Sequence, residues 1–176
     1  LAGRPFETVS EEVFRKMSDT AAPQGILCVM RQKKYALADL LAAKNPLLMI
    51  LEDIQDPGNL GTILRTGEGA GIGGVIMSRE TADIYNPKTI RSTMGSIYRV
   101  PFVYVSSLEE TAVQLKAAGI RLFAAHLKGK SWYDGEDYRK GSAFLIGNEG
   151  NGLREETAAL ADTYIKIPME GRVESL

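Results

Sequence analysis

After Pro46 the chain repeats one unit, a short apolar run followed by a segment with helical spacing. The runs are Leu47–Leu51, Gly74–Met77, Phe102–Val105, Leu122–Leu127, Ser142–Ile146 and Tyr164–Ile167. Most are apolar at consecutive positions, which marks strands buried on both faces. The intervening helices are Leu60–Gly69, Pro87–Met94, Leu108–Ala118, stopped by Gly119, and Leu153–Ala161. This alternation predicts an α/β fold, a mostly parallel sheet with helices on both faces.

The first quarter reads differently. Phe6–Val9 and residues 26–30 look like short strands. Ser10 can cap a helix over Glu11–Ser18, with two acids in its first turn, where the helix dipole favours negative charge. Tyr35–Lys44 repeats apolar residues at helical spacing until Asn45-Pro46 breaks it. Residues 1–34 are therefore expected to be the tail of a small N-terminal domain plus its linker, and residues 35–176 the main domain. The chain opens without Met and in mid-element, so cropping at its ends is expected.

Composition removes several classes. No apolar stretch approaches the roughly 20 residues of a membrane span, and no signal peptide is legible. The single cysteine, Cys28, excludes an internal disulfide and suits a reducing cytoplasm. Its apolar surroundings predict a small buried side chain on a strand. His126 is the only histidine, and with no second histidine and no second cysteine no metal site is expected. The net charge of −1 offers no basic tail for nucleic acid, so RNA binding would need a local patch.

Three strand-to-loop junctions carry Gly, Asn and charge together, where open α/β sheets build ligand sites. The first is Asp56-Pro57-Gly58-Asn59-Leu60-Gly61-Thr62-Ile63-Leu64-Arg65-Thr66. Gly58 and Gly61 permit close approach, Asn59 can cap the helix, and free amides near Asn59–Thr62 suit an anion. Arg65, further along the helix, can point back to that end. The second is Leu145-Ile146-Gly147-Asn148-Glu149-Gly150-Asn151-Gly152-Leu153, which removes side-chain bulk at three positions and brings one carboxylate, Glu149, into the turn. The third is Ile167-Pro168-Met169-Glu170-Gly171-Arg172-Val173-Glu174-Ser175-Leu176. There Pro168 removes an amide donor at a strand end.

The order and wording of these three segments resemble the motifs of the SpoU (TrmH-like) branch of the SPOUT RNA methyltransferases, from about Pro46 to Leu176. The resemblance implies a trefoil-knot domain, a homodimer, and methyl transfer from S-adenosylmethionine to a ribose 2′-hydroxyl of RNA, with ribosomal RNA favoured over transfer RNA. It implies Arg65 as the catalytic residue, with Asn59, Glu149 and Ser175 orienting it and the RNA. It implies cofactor contacts at Gly147, Ile167 and Leu176. It also implies an Asn-Val and a long apolar helix after the position of Leu176, so the 176-residue chain alone is expected to be a poor enzyme. In many relatives of this kind the N-terminal part is an RNA-binding module similar to a ribosomal protein.

Two rival readings stand beside this one. A Rossmann-type oxidoreductase needs a Gly-rich turn after a strand. Here the literal Gly-x-Gly-x-x-Gly, Gly69–Gly74, follows a helix and precedes a strand, the reverse order. An RNA-binding module that has lost catalysis would not need Arg65, Asn59 and Glu149 together. Trp132 and Tyr133, near Lys128, Lys130 and Arg139, suit either base stacking or a packed loop. Asn86–Ser96 carries two cations and several hydroxyls, and resembles a family segment near the active face.

Overall fold

The computed structural model describes residues 3, 5–18 and 20–170 and divides the chain into two units, Leu1–Gln32 and Lys33–Leu176. In the first unit, helix α1 (Glu11–Met17) forms as expected. Ser10 Oγ accepts from the Val13 amide at 3.3 Å, and the i,i+4 pairs Glu11–Arg15 and Glu12–Lys16 brace its surface. The two expected strands do not form. Residues 6–9 and 26–30 belong to no strand, Val29 is 93% exposed, and Cys28 is exposed rather than buried. An apolar run becomes a strand only when a neighbour takes its amides and carbonyls. Among the described residues of this unit none does.

The second unit begins with a helix shorter than predicted, α2 (Leu37–Leu41), where the Ala36 amide donates to the Asp39 carboxylate at 2.7 Å. Then come β1 (Leu47–Leu51), α3 (Pro57–Gly69), β2 (Gly74–Ser78), α4 (Pro87–Ser92), β3 (Phe102–Val105), α5 (Leu108–Ala117), β4 (Arg121–Ala125), β5 (Ser131–Trp132), β6 (Ser142–Ile146), α6 (Glu155–Ala158) and β7 (Thr163–Lys166). The seven strands among the described residues are all parallel, in the order β3-β2-β1-β6-β4-β7-β5. The expected α/β sheet is therefore present.

The continuous apolar runs follow from burial on both faces. In β1, Leu48 and Ile50 enter the cluster with Leu115, Leu122 and Leu145. Leu51 enters the opposite cluster with Leu60, Leu64, Val75 and Met77. Each such side chain contributes about 1.5–3 kcal/mol of transfer free energy.

Several boundaries differ from the predicted ones, among them β4, which ends at Ala125 rather than Leu127. Helix α3 starts at Pro57, not Leu60, because Asp56 is its cap and Pro57 fits the first helical position, where no amide is required. Helix α4 stops at Ser92, and Met94 turns to a φ of 49°. Helix α6 is four residues, not nine. Strand β5 lies inside a predicted loop. Its two residues pair with β7 and have no apolar run to announce them. Strand β7 lies between β4 and β5, which a short connection joins. That connection crosses the end of β7, where the His126 amide donates to Ile165 O at 3.0 Å. A Cβ on Gly129 would lie 2.8 Å from the Ile165 carbonyl carbon, so glycine is required at this crossing.

Candidate functional site

Strands β1 and β6 are neighbours, with Leu51 opposite Ile146. Their carboxyl ends release the loops 52–56 and 147–154 side by side, near the point where the strand order reverses. The two loops are tied by side chains. Glu149 Oε2 accepts from the Gln55 amide at 3.1 Å, and Oε1 accepts from the Asp56 amide at 3.1 Å and from Asn59 Nδ2 at 3.2 Å. Burial pushes the Glu149 carboxyl up, but the Gln55 amide, its own amide, the Asp56 amide and Asn59 together hold it below the usual carboxylate range. Asn148 adds a second tie, donating from Nδ2 to Asp53 O at 2.8 Å.

Beneath them lies a buried carboxylate. Glu52, 1% exposed, accepts from the Arg154 amide and from Arg154 Nε, both at 2.8 Å, and from the Thr157 hydroxyl. Sequence reasoning missed Glu52 and Arg154. The available signal was an acid directly after the buried run Leu47–Leu51.

The first junction differs from its predicted form. Asn59 is not the helix cap. Asp56 Oδ1 accepts from the Asn59 amide at 2.9 Å, while Asp56 Oδ2 pairs with Lys88 Nζ at 2.7 Å. The Lys88 ammonium holds the Asp56 pKa below its usual value. The amides expected to meet an anion are engaged within the protein, Asn59 by Asp56 Oδ1 and Leu60 by Asp56 O. Gly61 serves close helix packing, since a Cβ there would lie 2.5 Å from Ser92 Cβ and 2.7 Å from Thr89 O.

Gly147 also has an internal reason. A Cβ on it would lie 2.1 Å from both the Gly152 carbonyl carbon and the Leu153 nitrogen. The loop folds back on itself there, through the paired amides and carbonyls of Asn148 and Gly152. Gly147→Ala is therefore expected to lower thermal stability together with any ligand affinity, because the loop must open to admit one methyl group. Differential scanning calorimetry beside cofactor titration reads both. An unchanged thermal midpoint would contradict the packing seen here.

Arg65 is exposed, two turns along α3, and takes part in none of the ion pairs among the described residues. Arg65 is on the stripe Gly61, Arg65, Glu68, which faces the segment 89–99. Gly61 abuts Ser92 and Thr93, and Glu68 binds Ser96 Oγ and the Arg99 guanidinium. Those two partners draw the Glu68 pKa down to about 2, Arg99 more than Ser96.

Asn59 and Glu149 are thus brought into contact, Gly147 opens the same loop, and Arg65 follows on the same helix as Asn59. Ile167 lies past the end of β7, two strands from β6 on the same carboxyl edge, and is 53% exposed. Ser175 and Leu176 lie outside the described residues. His126 stacks on Tyr164 at 5.1 Å, and its Nδ1 accepts from the Lys128 amide, which is a structural setting. Among the described residues no group of three or more His, Cys, Asp or Glu is arranged to hold a metal ion, and no helix is long and apolar enough to cross a membrane.

Comparison with known proteins shows the family of the chain and relatives of its fold. The model of the SpoU rRNA Methylase family matches residues 46–176. The 23S rRNA (guanosine(2553)-2′-O)-methyltransferase RlmP of Bacillus subtilis is 33% identical over 170 residues, 96% of this chain and 65% of that protein. The 23S rRNA (guanosine-2′-O-)-methyltransferase RlmB of Bordetella pertussis is 32% identical over 179 residues, 99% of this chain and 73% of its own length. Among solved structures, the SpoU methyltransferase AviRb from Streptomyces viridochromogenes, in complex with AdoMet, superimposes with a TM-score of 0.74. It is 31% identical, over 80% of this chain and 55% of that one. The chain belongs to the SpoU rRNA methylase family. It spans less than two thirds of the Bacillus relative's length.

Proposed function

We propose that the protein transfers a methyl group from S-adenosylmethionine to a ribose 2′-hydroxyl of RNA, ribosomal RNA in the first instance. The observation that carries this reading is the join at the carboxyl edge. Glu149 from one loop holds the start of α3 from the other, and the same helix presents Arg65 to solvent, where it takes part in no ion pair among the described residues.

The described residues fit the cofactor on one count. Leu127 and Ile167, 63% and 53% exposed, sit just past the ends of adjacent strands β4 and β7, and apolar side chains at such an edge suit a purine ring. When bound, S-adenosylmethionine supplies a methyl carried on a positively charged sulfur. Gly147, Ile167 and Leu176 belong to this proposal as main-chain contacts.

Arg65 would bind the substrate oxygen and stabilise the negative charge that builds on it as its proton passes to solvent water. Glu149 is a poor base here, because three of its acceptor positions are taken and its pKa is lowered. Its role is to position Asn59 and the loop 55–56. Ser175 would orient Arg65. The setting of β7 between β4 and β5 supports a knotted C-terminal region. The homodimer, the cytoplasmic location of such RNA and an RNA-binding role for residues 1–34 are parts of the same proposal.

Mass mapping of 2′-O-methyl groups in RNA from cells with and without the gene tests it. One missing ribosomal methyl group is expected in the deletion strain. An identical map in the two strains would remove the reading.

A further inference from the structure

Three non-glycine residues described in the second unit have positive φ, Asn45, Asp53 and Met94, and of these Met94, which follows the C-cap of α4, is the residue type that tolerates it least. Met94 has a φ of 49°, a region that L side chains rarely enter, and its side chain is 71% exposed. A glycine or asparagine would take this conformation at lower cost, and the side chain is not buried in exchange.

The turn around it is pinned. Thr93 Oγ1 donates to Ile90 O at 2.7 Å and accepts from the Gly95 amide at 3.3 Å, and the Ser96 amide donates to Thr93 O at 3.0 Å. Ser96 Oγ is held by Glu68 of α3. The strain is therefore imposed by fixed neighbours on both sides, and such residues cluster where a ligand is clamped.

The neighbourhood of the turn follows from the helix period. Helix α3 and the segment 88–99 run side by side in the same direction: Gly58 meets Lys88, Gly61 meets Ser92 and Thr93, and Glu68 meets Ser96 and Arg99. Arg65 falls between Gly61 and Glu68 on the same stripe, and a helical side chain leans towards its own N-terminus. The helix period therefore puts Arg65 on the face of α3 that runs along the segment holding Met94, and both side chains are exposed, as is Arg91 one turn earlier on α4.

We propose that Met94 is a substrate-contacting residue whose thioether packs against the base of the nucleotide that Arg65 addresses. This rests on the methyl-transfer reading above. A thioether is apolar, polarizable and adaptable, so it can cover a base face without specifying hydrogen bonds. The turn holds it out beside the cation, so the base and the reacting ribose are engaged by adjacent residues.

The test uses the full-length protein, an unmodified 23S rRNA transcript and S-adenosylmethionine with a tritiated methyl. Met94→Gly should keep or raise the thermal midpoint, since glycine adopts this φ without strain. It should raise KM for the transcript about tenfold, the scale of one lost apolar contact, with kcat and cofactor affinity nearly unchanged. Met94→Ala should raise KM similarly, and Met94→Leu should restore it. Unchanged KM in the glycine and alanine variants overturns the inference, as does a KM rise accompanied by a lower thermal midpoint, which would make Met94 structural. Arg65→Ala in the same assay separates the two readings. If it still transfers methyl groups, the functional reading fails; if it is inactive while the Met94 variants keep their KM, only this inference fails. A wild-type protein that neither binds nor methylates the transcript removes both.

Discussion

Arg65→Ala is expected to lower methyl transfer about a hundredfold or more, the scale of losing one preorganised electrostatic partner, while cofactor affinity stays close to wild type. The separation follows from position. Arg65 is exposed on α3 and pairs with no described carboxylate, so its removal costs the fold little, within about 0.5 kcal/mol for a surface site of this kind. The edge proposed for the cofactor, at β6, β4 and β7, is built by other elements. Arg65→Lys keeps the charge but loses the planar fork, so it should recover only part of the rate. Single-turnover transfer to unmodified ribosomal RNA, beside calorimetric cofactor binding, reads both quantities. Near wild-type transfer by Arg65→Ala would mean that charge on the ribose oxygen is stabilised elsewhere.

What was legible in the sequence divides along a physical line. Strands β1, β2, β3 and β6 were found because burial on both faces writes a continuous apolar run, visible in a window of five residues. The same rule misled in the first unit, where residues 6–9 and 26–30 carry apolar runs without a pairing neighbour among the described residues. The start of α1 was legible because one residue, Ser10, could serve as its cap. At α3 the expected cap, Asn59, gives way to Asp56, which Pro57 follows at the first helical position.

The site was legible as residue types and much less as contacts. Asn59 and Glu149 meet across 90 residues only because β1 and β6 lie in register. No local pattern reports such a pairing. Gly147 shows the same limit from the other side. Its lack of a side chain reads equally well as room for a ligand or as room for the chain itself, and the backbone of Gly152 and Leu153 occupies that room. Gly61 was likewise open to two readings until α4 was seen against it.

Glu52→Ala is expected to produce the largest loss of stability among these substitutions. Glu52 is the buried acceptor for the Arg154 amide, the Arg154 guanidinium and the Thr157 hydroxyl, so alanine strands three donors and leaves a cavity. Arg154 is about half exposed and can turn to water, so its share of the ion pair is discounted. The Thr157 hydroxyl and the Arg154 amide have less recourse, and each unsatisfied buried group costs about 1–3 kcal/mol. A total of about 3 kcal/mol lowers the thermal midpoint by roughly 6–12 °C for a domain of this size. Arg154→Ala should cost less, because its amide and Thr157 still satisfy the carboxylate. The pair should also be non-additive, since both substitutions break the same contact. Glu52 joins the end of β1 to the start of α6, and so holds the loops that carry Asp56 and Glu149 at one spacing. Loss of cofactor affinity should therefore accompany the loss of stability in Glu52→Ala. A thermal midpoint within a degree of wild type would show that the Glu52 network contributes no net stability to the junction.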